Sequence, residues 1–573
     1  MPLGTFDRNE NITRLGEGTY DVLIIGGGIT GAGVALDAAS RGLRTALVER
    51  DDFASGTSSK SSKLIHGGLR YLQNGDVRLV YEALRERQRL LHNAPHLVSV
   101  LPFLIPVFEG KGGIIPKRLA RALGSAMWMY DLTGGLRIGK RHRRLDREAA
   151  LAHMPTLGER LAWAYLYYDA QADDARLTLT VARTAALDFG ATVVNHAAVT
   201  AIVKDDSGRV RGAIVDARAG TAVQVEVRAR VVINATGVWA DDVRALDEGT
   251  NPNSIRPAKG IHIAVPWRKL RNDIAAVVPV RHDRRSVFVV PWPAGGVDGN
   301  GDGADDDGGE SGVTYIGTTD TDYDGEVDDP QCTPEDVAYL LDAINHAISE
   351  PLEEGDVLGT WAGLRPLVRD ASNSRTADLS RRHKVLTSTG GMITVTGGKL
   401  TTYREMAEDA VDAAVSTMRS AGGPLPRRAR RSRTRSLALR GAAGWREARK
   451  RDAHLAGRYG GEAAVVEAII AADPTTAGAL VPGLPYRRAE ALYAARYEMA
   501  MTVDDVLSRR TRSRLLGRDA TAAAAPDVAE LLATELGWSE AERTAQVDRF
   551  RAALAREREV PGLPENAAIA GSG

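Results

Sequence analysis

Val22-Leu23-Ile24-Ile25-Gly26-Gly27-Gly28-Ile29-Thr30-Gly31 decides the fold. Its first four residues are an apolar, β-branched run of the kind that forms a parallel strand buried on both faces. The run ends on glycines and a helix follows at once. Small and apolar residues (Ala32, Val34, Ala35, Ala38, Ala39) dominate from Ile29 to Arg41, and Gly42 stops the helix. Thr45-Ala46-Leu47-Val48-Glu49 supplies the next strand. The result is a βαβ unit whose glycines stand where such a unit binds a dinucleotide pyrophosphate. Gly26 allows the tight turn and Gly28 lets the backbone approach the phosphates. Gly31 permits close helix–strand packing, and the helix N-terminus stabilises the phosphate charge. Glu49 can accept hydrogen bonds from ribose hydroxyls and would repel a 2′-phosphate, so NADP is disfavoured while NAD and FAD both remain.

Outward from this unit, Val193-Val194 through Val215, a turn at Asp205-Asp206-Ser207-Gly208, and Val231-Val232-Ile233-Asn234 read as a meander returning to the sheet. Ile261-His262-Ile263-Ala264-Val265 and Ser286-Val287-Phe288-Val289-Val290 read as strands of a different, antiparallel sheet that would roof the site. Ala294 to Gly312 is too poor in apolar side chains to offset its ordering entropy, and an acidic loop is expected there. Its opening imitates a calcium loop, but Gly309 stands where the bidentate glutamate is required, so no metal is expected. Arg427, Arg428, Arg430, Arg431, Arg433 and Arg435 cluster in a stretch that reads as a solvated linker. An Ala-rich, helix-periodic region from Gly444 to about Arg556 follows as a separate helical domain.

Composition bounds these readings. A chain of 573 residues that is 43% hydrophobic can bury a large core over two to four domains. Lys+Arg and Asp+Glu both total 74, so no global imbalance draws the protein onto nucleic acid or an anionic membrane. The single cysteine, Cys332, excludes an internal disulfide and a Cys-based zinc site within one chain. Met1 to Tyr20 lacks the apolar core of a signal peptide, and nowhere do about 18 apolar residues run together. A cytoplasmic protein is expected, with any membrane contact peripheral on the cytoplasmic face.

Four further strings carry chemistry. Asn234-Ala235-Thr236-Gly237-Val238-Trp239-Ala240 closes a strand with small residues. Thr396-Gly397-Gly398-Lys399-Leu400-Thr401-Thr402-Tyr403 opens a helix that would aim backbone N–H groups at the edge of an extended cofactor where negative charge gathers on reduction. Ser55 to Lys63 would in isolation be a flexible linker. It leads, however, into Leu64-Ile65-His66-Gly67-Gly68-Leu69-Arg70-Tyr71-Leu72. There an imidazole, two glycines, a cation and a phenol form a compact set for a phosphorylated alcohol.

Taken in order, DVLIIGGGITGAG, TSSKSSKLIHGGLRYLQNGDVRLVYEAL, ATGVWA, KGIHIAVP, IGTTDTDY, GLRPL and GGKLTTYREMAEDA resemble the FAD-dependent glycerol-3-phosphate dehydrogenases, within the D-amino-acid-oxidase-like flavoproteins. The match spans residues 21 to about 415, and the helical tail is also similar to that family's C-terminal domain. The acidic loop is longer than the family pattern. The resemblance implies an α/β fold in which a Rossmann-like FAD-binding domain (1–100, 191–255, 356–422) interleaves with an antiparallel-sheet substrate domain (101–190, 256–355). A basic linker (423–443) and a C-terminal all-α domain (444–573) complete it.

Carried over residue by residue, the resemblance places FAD against Gly26, Gly28, Gly31 and Glu49, then against Thr57, Ser58, Ser59, Ser62, Lys63, Leu64 and His66. Ala235, Thr236, Gly237, Gly398, Lys399, Leu400 and Thr401 complete the cofactor set. The substrate phosphate falls near Arg70 and Tyr71, with Arg365 and Lys399 at the reacting end and His66 and His262 facing the site. The implied reaction removes the C2 hydroxyl proton of glycerol 3-phosphate as hydride passes to flavin N5. An imidazole serves as base, and either histidine could fill that place. A quinone is the expected acceptor, with a membrane surface as partner, a homodimer as assembly and no nucleic acid. Gly113 to Leu132 mixes Lys117, Arg118 and Arg121 with apolar residues, a composition compatible with an interfacial helix. The rival readings are an oxygen-using oxidase, an amine or amino-acid oxidase, and a nucleotide sensor whose arginine run contacts nucleic acid or lipid. Arg70-Tyr71 argues for phosphate against the second, and zero net charge argues against the third.

Overall fold

The computed structural model describes residues 6–68, 77–109, 127–128, 130, 140–217, 223–280, 285–292, 312–369 and 382–566. Thr19–Ile25 sits inside an eight-stranded sheet because its apolar residues leave neither face for water: Val22, Leu23 and Ile24 are wholly buried. It pairs in parallel with Thr45–Val48 on one side and Val223–Asn234 on the other. Thr192–Val194 extends the sheet beyond the first, and Ile393–Thr396 with the antiparallel edge Lys384–Thr387 beyond the second. Ala197–Lys204 and Val210–Ala217 fold back antiparallel onto the start of Val223–Asn234, which is the meander expected from the sequence. Helices Ile29–Ser40, Asp174–Phe189 and Tyr403–Ser420 share one apolar core with this sheet.

The second sheet has ten strands and is almost wholly antiparallel. Its long member, Ile255–Pro266, carries Gly359–Val368 on one edge and Val313–Gly317 on the other. Ser286–Trp292, Ala275–Pro279, Val98–Phe108, Leu161–Ala172 and Leu64–Ile65 continue it outward. The two-residue strand Leu64–Ile65 therefore ties the segment after the Ser/Lys string into the roof.

Helices between Trp445–Arg451 and Glu540–Glu559 form the C-terminal layer. They do not stand apart from the rest: Val503, Val506, Leu515 and Leu516 join Tyr315 and Trp361 of the second sheet in one apolar cluster. The arginine stretch keeps its six arginines exposed, as a solvated run would, but the residues between them are tied down. Ala429 and Leu439 are buried, Ser432 Oγ donates to Asp37 Oδ1 at 2.5 Å, and Arg435 pairs with Glu408 at 2.7 Å. The run is laid onto the helices Ile29–Ser40 and Tyr403–Ser420 by these carboxylates and by Ala429, Leu425 and Leu437, which pack on the core the helices share. The acidic tract lies outside the described residues but for Gly312, as do most of Gly113 to Leu132 and the pair Arg70 and Tyr71.

Candidate active site

A cavity of about 550 Å³ opens at the carboxyl ends of the parallel strands and runs beneath the second sheet, the place where open α/β sheets hold their ligands. Gly26, Gly28, Glu49, Val199 and Thr236 line one end, and His66, His262, Phe288, Arg365 and Lys399 the other.

The glycine turn is built as its sequence requires. Gly26 has φ +108°, a conformation that side chains resist, and a Cβ there would press on the Ala235 carbonyl oxygen at 2.7 Å. A Cβ on Gly31 would overlap the Gly26 carbonyl oxygen, so helix and strand touch where only hydrogen separates them. A Cβ on Gly28 would meet only Ser58 Oγ, at 3.1 Å, and otherwise open space. That opening is a cradle for phosphates at a helix N-terminus. Glu49 is held by the turn it serves: its carboxylate accepts from Gly27 N–H at 2.6 Å and Asp51 N–H at 2.9 Å. Burial raises its carboxyl pKa, and these two donors partly offset the rise. Each oxygen of this carboxylate keeps a further lone pair for a ribose hydroxyl, so the residues present fit a dinucleotide.

At the far end, Gly397 and Gly398 both take left-handed φ, +78° and +79°, and turn the chain into Leu400–Thr402 and the helix Tyr403–Ser420. Lys399, Leu400 and Thr401 consequently present a helix start to the cavity, a site suited to charge that develops on an extended cofactor. Thr401 Oγ1 accepts from the His66 N–H at 3.2 Å, joining this helix to the histidine segment.

Register sets His262. It lies opposite Trp361 on one neighbouring strand and Gly317 on the other. A side chain at Gly317 would collide with the imidazole. The ring is 2% exposed, its Nε2 lies 2.9 Å from Ser62 Oγ, and its Nδ1 has no hydrogen-bond partner. Burial first, then the cations of Lys63 and Arg365, hold its pKa well below the ordinary histidine value, so it stands neutral. Arg365 lies opposite Ala258, and Gly260 leaves room for its guanidinium, which donates to Thr318 Oγ1 at 3.2 Å and Asp320 Oδ1 at 3.3 Å. The half-buried ring of His66 faces Phe288 edge-on at 6.3 Å.

Of the residues read from the sequence, Gly26, Gly28, Glu49, Thr57, Ser58, Ser62, Leu64, His66, Ala235, Thr236, Gly237, His262, Arg365, Gly398, Lys399, Leu400 and Thr401 come together around this cavity. Gly31 acts behind the wall, in packing. Ser59 and Lys63 lie outside the lining, against expectation. Lys63 turns inward, where its ammonium sits 3.6 Å from Asp174 and 4.6 Å over the Trp361 ring. Burial brings its pKa down to about 8. Ser59 spends its carbonyl on Arg512. Arg50, Val199, Trp239, Phe288 and Thr318 line the cavity without having been singled out. Trp239 was at least inside a quoted motif, and Phe288 alternates with buried valines in its strand. Thr318 stands in the string IGTTDTDY, and nothing local marked Arg50 or Val199.

The family model described as FAD dependent oxidoreductase matches residues 21–404, and that described as the C-terminal domain of alpha-glycerophosphate oxidase matches residues 432–543. The chain is 37% identical over 573 residues to glycerol-3-phosphate dehydrogenase 2 of Mycobacterium tuberculosis, covering 97% of this chain and 91% of that one. It is 38% identical over 564 residues to the mitochondrial glycerol-3-phosphate dehydrogenase of Homo sapiens, covering 93% and 72% respectively. Among solved structures, the glycerol-3-phosphate dehydrogenase of Bacillus halodurans complexed with FAD superposes with a TM-score of 0.72 at 29% identity, over 98% of this chain and 97% of that one.

Proposed function

The chain belongs to the family of FAD-dependent glycerol-3-phosphate dehydrogenases, and from that premise we propose how its residues divide the oxidation of sn-glycerol 3-phosphate to dihydroxyacetone phosphate, with a quinone as final acceptor. Bound FAD supplies the acceptor for the hydride that leaves C2. The chain's own part is to hold the substrate, take the hydroxyl proton and stabilise the oxygen left behind.

His262 takes the proton in this reading. What supports it is a neutral imidazole on the cavity wall, oriented by Ser62 through one nitrogen and unpartnered at the other. The arrival of a dianionic substrate raises such a ring toward the working range. Arg365 and Lys399 line the same end and stabilise the developing alkoxide. Arg70 and Tyr71 take the phosphate. The observation that carries the reading is one continuous cavity with a dinucleotide turn at one end and His262, Arg365 and Lys399 at the other.

Mixing the purified yellow protein anaerobically with glycerol 3-phosphate tests it: the flavin absorbance bleaches. An unchanged spectrum sinks the reading. Adding a quinone analogue or oxygen to the bleached protein then identifies the acceptor, and rapid return of colour with oxygen alone would replace the quinone.

A quinone acceptor requires a membrane surface. No helix among the described residues is long and apolar enough to cross a membrane, so contact would be peripheral. A surface patch supports it. Trp128 is 57% exposed and packs edge-on to His142, while Arg144 lies over Trp163 at 4.3 Å and Lys140 over Tyr168 at 5.3 Å. Aromatic rings with basic side chains are suited to the headgroup region.

A further inference from the structure

We propose that the helical domain completes the flavin site: Arg512, with its partner Asp174, is a positioning residue for the loop 59–63 and, through Ser62, for His262. The proposal rests on the cavity being the flavin site.

Arg512 lies in the segment matched as a C-terminal domain, yet it is 1% exposed and reaches into the nucleotide-binding part of the molecule. Its Nη2 donates to the Ser59 carbonyl at 2.5 Å and to Asp174 Oδ1 at 2.9 Å, while Nη1 is held by the Ser508 carbonyl at 3.0 Å. The other oxygen of Asp174 accepts from both the N–H (3.0 Å) and the hydroxyl (2.7 Å) of Ser61. The next residue is Ser62, whose hydroxyl meets His262 Nε2 and whose carbonyl accepts from Tyr315 OH at 2.9 Å. A guanidinium of the helical layer is thus linked to the cavity imidazole by two charged hydrogen bonds, one covalent step from Ser61 to Ser62 and the hydrogen bond from Ser62 to His262.

Polar contacts alone fix the loop: besides Arg512 and Asp174, Thr57 Oγ1 donates to the Leu364 carbonyl at 2.6 Å, Trp361 Nε1 to the Ser61 carbonyl at 3.4 Å and Lys63 Nζ to the Ser59 carbonyl at 3.4 Å. Gly56-Thr57-Ser58-Ser59-Lys60-Ser61-Ser62 contains no large apolar side chain to bury, so it carries the conformational entropy of a serine linker unless polar anchors hold it. Lys60, Ser61 and Ser62 nevertheless form cavity wall. Charged, buried anchors at both Ser59 and Ser61 resolve that conflict between composition and role. A link between domains is not enough to do this. Arg183 also crosses to the helical layer, donating to Glu462 at 2.7 Å and to the Tyr497 carbonyl at 3.1 Å, but it touches nothing in the loop.

The test compares Arg512→Met, Arg512→Lys and Arg183→Met by FAD affinity and by hydrogen–deuterium exchange of the holoprotein. Arg512→Met is expected to weaken FAD binding about tenfold and to speed exchange in peptides covering 56–65 while the rest of the chain exchanges as before. Arg512→Lys recovers part of both. Arg183→Met lowers the Tm but leaves FAD affinity and the 56–65 exchange at wild-type values. Unchanged affinity and exchange in Arg512→Met would overturn the proposal, and so would an equal effect from Arg183→Met, which would mean that domain docking in general matters. If Arg512→Met does not fold, Ser61→Ala removes one anchor and leaves the domain contact intact. It is expected to loosen 56–65 in the same way, and wild-type exchange there overturns the proposal. None of these readouts uses glycerol 3-phosphate, so they stand or fall apart from the substrate reading.

Discussion

Trp361 lies flat against His262, ring centroids 4.8 Å apart and planes 8° from parallel, because the two are register partners on adjacent antiparallel strands. The stack fixes the plane of the imidazole, and Ser62 fixes its rotation in that plane. A base held this firmly has its proton-accepting geometry set before substrate arrives. His262→Gln is therefore expected to slow anaerobic flavin reduction at saturating glycerol 3-phosphate by about 10²- to 10⁴-fold, with FAD still bound stoichiometrically. Stopped-flow absorbance measures it. A loss under tenfold, with the large loss appearing in His66→Gln instead, would move the base to His66.

Acid should destabilise the fold through buried neutral histidines. His96, 7% exposed beneath Gly441, has its pKa pushed down to about 4, chiefly by burial. Unfolded, an imidazole takes its proton near about 6.5. As pH falls below that value the unfolded chain gains a proton that the folded one refuses, so stability is full above it and declines below, until folded His96 also titrates. Between pH 7 and pH 5 this one residue costs about 2 kcal/mol. The Tm of His96→Gln should accordingly fall less than that of the wild type over the same interval. Parallel falls in the two proteins would show that His96 is not a source of the acid sensitivity.

The glycines of the turn should separate binding from folding. An added methyl at Gly28 would press on one side-chain atom, Ser58 Oγ at 3.1 Å, and otherwise occupy the space meant for phosphates, whereas one at Gly31 overlaps backbone. Gly28→Ala, which needs only a side chain to shift, is expected to lower the Tm of the apoprotein clearly less than Gly31→Ala does, and to lose FAD affinity at least tenfold. Gly31→Ala should lower the apoprotein Tm itself. Thermal melts with and without FAD decide this, and an apo Tm that drops equally in both variants would remove Gly28 from the cofactor's path.

Much of this was legible in the chain because it is locally encoded. The strand–glycine–helix order around Gly26, the paired glycines before Lys399 and the alternation about His262 each carry their own geometry within ten residues. What was not legible depends on distant partners. Lys63 stands in a string that reads as cofactor-binding, but its direction is decided by Asp174 and the Trp361 ring. Val199 reaches the cavity from the antiparallel meander, by its register and not by any mark in its own sequence. The arginine stretch 427–435 reads as solvated by composition and its arginines are exposed, but Ala429 packs into the core and Asp37 and Glu408 of two other helices hold Ser432 and Arg435, which composition does not show.

The exposed aromatic and basic patch adds Lys140, Arg143, Arg144 and Trp163 to the segment Gly113 to Leu132, whose composition reads as interfacial although the net charge of the chain is zero. Arg143 and Arg144 are exposed on a short edge strand of the second sheet, and Arg144 covers the face of Trp163, with Trp128 and His142 beside them. If headgroups replace water there, the arginines contribute Coulomb attraction, about 1 kcal/mol each near an anionic leaflet, and the indoles contribute burial. The first term is screened by salt and the second is not. Pelleting with vesicles containing phosphatidylserine should therefore fall steeply between low and physiological salt. The double substitution Arg143→Glu, Arg144→Glu should abolish the salt-sensitive part, while Trp128→Ala should weaken binding at every salt concentration. Flavin reduction by glycerol 3-phosphate should be unaffected in all of them, because the patch lies outside the cavity lining. Variants that pellet like the wild type would place the membrane contact elsewhere on the protein.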